Sequence, residues 1–215
     1  MHPKFAPIPA GKAVLAGFAA ALLAVSSCDL GISGVNFVPF PDVINHSYSF
    51  ESGLEGWAPI GIELGDPPAS WSIDESLNYK SDGEKSLKLT LSNPADSAKI
   101  FIERVFSLDR SSTYSVKVRY SFCSKDGGAV DKWKVITGVS AEQPRAAAAL
   151  SFPGDTGNDG FALFTWKERT YDFMYETGAS RKAYITIGVW GTTADDREYY
   201  VDNVRITFTK VKQTE

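Results

Sequence analysis

Tyr114-Ser115-Val116-Lys117-Val118-Arg119-Tyr120-Ser121-Phe122 alternates with a period of two. Tyr114, Val116, Val118, Tyr120 and Phe122 fall on one face, with Lys117 and Arg119 on the other, which is the pattern of a strand with one buried side. Ser86–Ser92 repeats it, with Leu87, Leu89 and Leu91 opposite Lys88 and Thr90. Strand-forming runs also lie at His46–Glu51, Lys99–Leu108, Trp133–Val139, Thr165–Tyr175, Lys182–Trp190 and Tyr199–Lys210, with weaker ones near Trp57–Leu64 and Trp71–Ile73. From His46 onward Gly, Pro, Asn and Asp punctuate the chain every 8–15 residues, and no 3.6-residue apolar period persists. Ala146–Leu150 is the only helix-prone patch, and it is short. Eight to ten such runs predict an all-β fold, a sandwich of two antiparallel sheets.

The chain before this domain reads differently. Lys4 and Lys12 form a positive flank, no acidic residue precedes Asp29, and Ala13–Val25 is apolar and rich in Ala and Leu. That run is too short to span a bilayer as a helix and suits a signal peptide, residues 1–27. Leu23-Ala24-Val25-Ser26-Ser27-Cys28 resembles a bacterial lipobox, with Ser27 departing from the commoner Gly or Ala. The resemblance implies export, acylation of Cys28 and attachment to a bacterial cell membrane or outer membrane. Two or more acyl chains anchor stably where one is marginal. Residues 28–45, with Gly31, Gly34, Pro39 and Pro41, read as a tether, 46–210 as the domain and 211–215 as a tail.

Without the first 27 of its 215 residues the chain keeps 188, long enough for one domain with a sizeable core. Lys4 and Lys12 leave with the signal peptide, so 20 basic residues remain against 26 acidic, a formal charge of −6. No basic tract occurs, which argues against nucleic acid as a partner. If Cys28 is acylated, Cys123 is a lone thiol in a β-rich run and reads as a small buried hydrophobe.

Four stretches carry a resemblance. Ser49-Phe50-Glu51-Ser52-Gly53-Leu54-Glu55-Gly56-Trp57 pairs Phe-Glu with a Gly loop and Gly-Trp. Ser81-Asp82-Gly83-Glu84-Lys85-Ser86-Leu87-Lys88-Leu89 leads from Asp-Gly into a Ser-Leu strand. Trp166 to Phe173 runs from Trp to an aromatic strand, and Tyr199-Tyr200-Val201-Asp202-Asn203-Val204-Arg205-Ile206 closes the domain. In this order they resemble the jelly-roll carbohydrate-binding modules of the galactose-binding-like superfamily, over about residues 46–210. The resemblance implies a jelly roll and a glycan or polysaccharide partner. It also implies a structural Ca2+ near the first and last strands, with Glu51 and Asp202 as candidate side-chain ligands and backbone oxygens near Asp82. The period-two rule places Asp202 with Tyr200, Val204, Ile206 and Phe208 on a core-facing side, where a carboxylate must be paired, metal-bound or used to cap backbone N–H groups.

Sugar rings stack their CH faces on aromatic rings, while their hydroxyls seek polar partners. Trp190 and Tyr184 lie with Thr186 and Gly188 on one face of their strand, opposite Ile185, Ile187 and Val189. Trp71 and Trp133 have polar or charged neighbours. These four residues are the candidate ligand contacts, each also readable as packing, while Trp57 and Trp166 read as core. The loop from Pro153 to Gly160 partly fits a calcium-loop start at Asp155, Asp159 and Gly160. It has Gly157 at the third place and Trp166 at the twelfth, and so reads as a hairpin loop.

A catalytic constellation is hard to assemble. His46 is the only histidine after the signal peptide, so a triad has one candidate base and a multi-histidine zinc site has too few ligands. Asp195-Asp196 lies in a Gly/Thr loop and reads as a solvated turn. Three expectations follow: a tethered, non-catalytic carbohydrate-binding lipoprotein; a structural or adhesive lipoprotein with a protein partner; and, as a minor alternative, a glycan hydrolase or lyase.

Overall fold

Alternation alone does not say which face of a strand meets the other sheet, and a computed structural model supplies that answer. It describes residues 41–124, 132–153 and 164–212. The chain divides into two compact units, Met1–Val38 and Pro39–Glu215, and all the described residues belong to the second. Cys28, the signal peptide and the acidic loop residues Asp155 and Asp159 lie outside the described residues.

Ten strands follow in order: β1 (Val43–Tyr48), β2 (Ala58–Ile62), β3 (Ser70–Ser76), β4 (Ser86–Ser92), β5 (Lys99–Ser107), β6 (Thr113–Ser124), β7 (Trp133–Ser140), β8 (Thr165–Glu176), β9 (Lys182–Gly191) and β10 (Asp196–Lys210). One sheet runs β3-β4-β10-β6-β8, with β1 also pairing β10, and the other runs β2-β5-β9-β7. Every strand pairing is antiparallel. The two sheets form an antiparallel β-sandwich, as the alternation predicts, of the jelly-roll type that the resemblance implies. Among the described residues the Ala146–Leu150 patch forms one 3-10 turn, Ala147–Ala149. β1 begins at Val43, three residues before the expected start of the domain at residue 46.

The core lies between the sheets. From the six-stranded sheet Leu87, Leu89, Leu91, Tyr114, Val116, Val118, Tyr120 and Phe122 point inward. From the other sheet Ile100, Ile102, Trp133, Val135, Ile185, Ile187 and Val189 meet them. Lys117 and Arg119 face outward and pair across the strand with Asp172 (2.8 Å) and Glu168. Such exposed pairs contribute little stability.

β10 departs from simple alternation. Tyr199 and Val201 belong to the core, and so do Val204, Ile206 and Phe208. The register against β6 slips between Asp202 and Arg205, and Asn203 adopts φ 51°. An extra residue in a bulge inverts the face that follows it, and Asn tolerates the left-handed conformation this needs. Asp202 therefore stands with Tyr200 on the outer side of the sheet. The period-two placement beside Val204, Ile206 and Phe208 is corrected by this bulge.

Gly188 of β9 sits where β5 comes closest. A Cβ there would lie 2.2 Å from the Ile100 carbonyl oxygen and 2.5 Å from the Phe101 Cα. Backbone on a paired strand moves only at the cost of the ladder, so Gly188→Ala is expected to lower stability by about 1–3 kcal/mol. A urea midpoint unchanged by the substitution would contradict this close approach.

Candidate functional site

Antiparallel register places cross-strand partners on the same face, so the outer face of the four-stranded sheet can be written as rows. Ile62, Lys99, Trp190 and Lys134 form one row, and Ile60, Phe101, Gly188 and Ile136 the next. Ala58, Glu103, Thr186 and Gly138 follow, then Val105, Tyr184 and Ser140. The structure thus brings Trp190 and Tyr184 onto one outer face, roughly 20 Å apart along β9 at about 3.4 Å per residue.

The other two candidate tryptophans are elsewhere. Trp133 is 1% exposed and packs between Phe122 and Tyr199, with ring centroids 5.0 and 5.5 Å away. Its strand turns Trp133, Val135 and Thr137 inward, so its indole is core and meets no external ligand. Trp71 is half-buried and packs against the core over Gly61, where a Cβ would meet its ring at 2.4 Å. Both are corrected from ligand contact to packing. Trp57 is core, whereas Trp166 pairs with Cys123 on the outer side of the six-stranded sheet and is half-buried there.

Trp190 already has neighbours. The Lys99 and Lys134 ammonium groups lie 4.5 and 4.9 Å from its ring centre, and Phe152 packs at 5.3 Å. Lys99 is itself held by Glu63 Oε2 and the Ser97 carbonyl, both at 2.7 Å. The indole Nε1–H is buried without an acceptor among the described residues.

Gln143 to Phe152 crosses this face. Gln143 Nε2 donates to Glu103 Oε1 (2.7 Å), the Ala147 N–H donates to Glu63 Oε1 (2.7 Å), and the Thr137 N–H donates to the Ser151 carbonyl (3.2 Å). Leu150 and Phe152 rest on the small cluster of Ile62, Phe101 and Ile136. The row of Val105, Tyr184 and Ser140 lies beyond that cluster, and Val105 is 49% exposed.

Glu103 is the residue that sequence reasoning missed. It is 4% exposed, and its Oε2 has no partner among the described residues. Burial raises its pKa, against the opposing pull of Gln143 and Arg145. The one signal available was a lone carboxylate inside the apolar run Lys99–Leu108.

The expected calcium ligands meet at another place. Glu51 Oε1 accepts the N–H groups of Glu84 (2.9 Å) and Lys85 (3.1 Å). Asp202 Oδ2 accepts those of Ser81 (2.8 Å) and Asp82 (3.0 Å), and its Oδ1 that of Asn203 (2.6 Å). Asp82 Oδ1 accepts from Gly83 at 3.0 Å. Two carboxylates, Glu51 from the turn after β1 and Asp202 from β10, therefore clasp one loop through its backbone N–H groups. Burial raises the Asp202 pKa while the three N–H donors draw it down. Among the described residues no three His, Cys, Asp or Glu side chains gather at metal-binding spacing. N–H groups aimed at both Asp202 oxygens suit an anion, not a cation, so this carboxylate fits the clasp better than a metal. Glu51 Oε2 and Asp82 Oδ2 accept no hydrogen bond among the described residues.

His46 lies in β1 against Phe106 and Phe208, with ring centroids 4.8 and 6.3 Å away. Burial, and secondarily the Arg104 charge, lower its pKa. A base whose folded pKa lies below its unfolded value near 6.5 favours the folded state above about pH 6.5. That contribution is lost as the pH falls through the folded pKa. An NMR titration of His46 is expected to show a midpoint below 6.5, and a midpoint above it would refute the packing described.

With this geometry in hand, the described residues form an all-β sandwich domain of two antiparallel sheets. No protein-family model and no curated protein matches its sequence. Among solved structures it is similar to the CBM22-1 xylan-binding domain of Paenibacillus barcinonensis Xyn10C, at 19% identity, covering 78% of this chain and 95% of that one with a TM-score of 0.46. It is also similar to the K1 cleaved adhesin domain of the Porphyromonas gingivalis W83 Lys-gingipain, at 17% identity, 76% and 97% coverage and a TM-score of 0.48. A third is TmCBM61, solved in complex with β-1,4-galactotriose, at 14% identity, 74% and 92% coverage and a TM-score of 0.43.

Proposed function

We propose that this protein is a non-catalytic carbohydrate-binding lipoprotein of a bacterial cell envelope, held to the membrane by lipid on Cys28. Glu103 carries the reading: a nearly buried carboxylate with one unpartnered oxygen, on the sheet face that also bears Tyr184 and Trp190. An aromatic surface beside a carboxylate offers what a sugar ring and its hydroxyls require, with Glu103 Oε2 buried and unpartnered among the described residues. Calorimetric titration of the protein with plant, microbial and host polysaccharides tests it. Saturable binding weakened by Tyr184→Ala and by Glu103→Gln is expected, and no binding by a folded protein would end the reading.

Lipid attachment rests on the Leu23–Cys28 stretch. Incorporation of labelled palmitate, lost in Cys28→Ala, is the expected result, and labelling that persists in the variant would remove it.

The calcium expectation is carried forward on the open oxygens of Glu51 and Asp82, with Asp202 serving as the loop clasp. Ca2+ is expected to raise the melting temperature relative to chelator, and equal melting temperatures would dismiss the ion.

A structural or adhesive lipoprotein with a protein partner is the second reading. It is favoured by the Gln143–Phe152 segment, which occupies part of the face a glycan would use. Glycan titrations without heat, with a folded domain, would select it.

A further inference from the structure

On the opposite side of the sandwich, the outer face of the six-stranded sheet carries an aromatic group that no sequence pattern announces. Tyr79, from the loop between β3 and β4, packs on Tyr200 of β10 with ring centroids 4.9 Å apart. Phe164, just before β8, packs on both, 4.4 Å from Tyr79 and 5.3 Å from Tyr200. Tyr200 is buried beneath them at 1% exposed, while Tyr79 remains 38% exposed. Beside them lies a groove of about 550 Å3 lined by Thr90, Ser92, Phe164, Asp196, Arg197 and Glu198. That volume is within the range of about 300–1,000 Å3 usual for small-ligand sites.

We propose that this groove is a second glycan-binding site, shaped for a neutral oligosaccharide. The ligand class rests on the carbohydrate reading above, whereas the location does not. The floor is a ladder of polar groups: Ser70, Ser92 and Asp196 form one row and Ser72, Thr90 and Glu198 the next, followed by Asp74, Lys88 and Tyr200. Four hydroxyls and a carboxylate edge thus stand beside an aromatic wall, matching the hydroxyls and the CH face of a pyranose.

The charge on this floor selects against acids. Lys88 is taken by Glu198 at 2.5 Å, and Arg197 by Asp195 at 3.1 Å. Asp74 and Asp196 are exposed and have no ion pair among the described residues. An anionic glycan would meet those two carboxylates with no unpaired cation on this floor among the described residues, whereas sugar hydroxyls can donate to them. The aromatic wall is held in place from below. Asp202 anchors the N–H groups of Ser81 and Asp82, the residues just after the Tyr79 loop, and Ser86 Oγ donates to the Tyr79 carbonyl.

The test is calorimetric titration of the full chain in detergent micelles with xylohexaose, cellohexaose, β-1,4-galactotriose and chitohexaose, and with polygalacturonate as the anionic counterpart. Wild type is compared with Tyr79→Ala, Asp196→Asn and, on the other face, Tyr184→Ala. Asp196→Asn keeps size and exposure, so it guards against a folding artefact in Tyr79→Ala. The proposal expects a neutral oligosaccharide to bind and polygalacturonate not to, with affinity falling about tenfold in both groove variants. It is overturned if binding survives both groove variants and is lost in Tyr184→Ala, which leaves the carbohydrate function intact on the other sheet. It is also overturned if polygalacturonate binds best in the groove. If no saccharide binds, both this site and the carbohydrate reading fall.

Discussion

Trp133→Ala is expected to cost about 3–5 kcal/mol of stability, the usual range for truncating a buried tryptophan. The indole is 1% exposed and fills the space between Phe122 of β6 and Tyr199 of β10. It therefore bridges the two sheets, and neither sheet can collapse into the void without breaking its own ladder. For a domain of this size each kcal/mol moves the melting temperature by roughly 2–4 °C, so a fall on the order of 10 °C is expected in a thermal melt. Were Trp133 an exposed sugar platform, the change would lie within about 0.5 kcal/mol, and a shift that small would refute its place in the core.

Asp202→Ala is expected to cost about 3 kcal/mol. Asp202 is 0% exposed, and its two oxygens accept three backbone N–H groups. Removing the carboxylate leaves those donors without their acceptor, and each buried unsatisfied group costs about 1–3 kcal/mol. Ser81 and Asp82 lie at the loop surface, where water recovers part of that loss. Glu51 holds the same loop at Glu84 and Lys85. The two carboxylates share a partner, so Glu51→Ala and Asp202→Ala are expected to be non-additive in chemical denaturation. Strict additivity would mean that the loop is not one clasped unit. Loss of the clasp also frees the residues that follow Tyr79, so neutral-glycan affinity in the second groove should fall with it.

The strands were legible because their physics is local. A buried face imposes alternation, and Tyr114–Phe122 shows it in both sequence and burial. Ser86–Ser92 does the same. The placement of Trp190 and Tyr184 on one outer face was legible too, since their neighbours Ile185, Ile187 and Val189 are apolar throughout. β7 was harder because both of its faces are mixed: Trp133, Val135 and Thr137 alternate with Lys134, Ile136 and Gly138. Only the opposing sheet decides which set is buried. Asp202 was assigned to the wrong face because a bulge shifts the phase without changing composition, and Asn203 was its one local hint.

Sequence by itself therefore determined the all-β class and most strand positions, since each depends on runs of neighbouring residues. Tertiary structure alone decided that Trp71 and Trp133 are packing and that Glu103 is a buried carboxylate with one oxygen unpartnered among the described residues. It also decided that Tyr79, Phe164 and Tyr200 meet over a groove. Those facts depend on which strands pair and in what register, and residues as far as about 120 positions apart are brought into contact only by the folded chain.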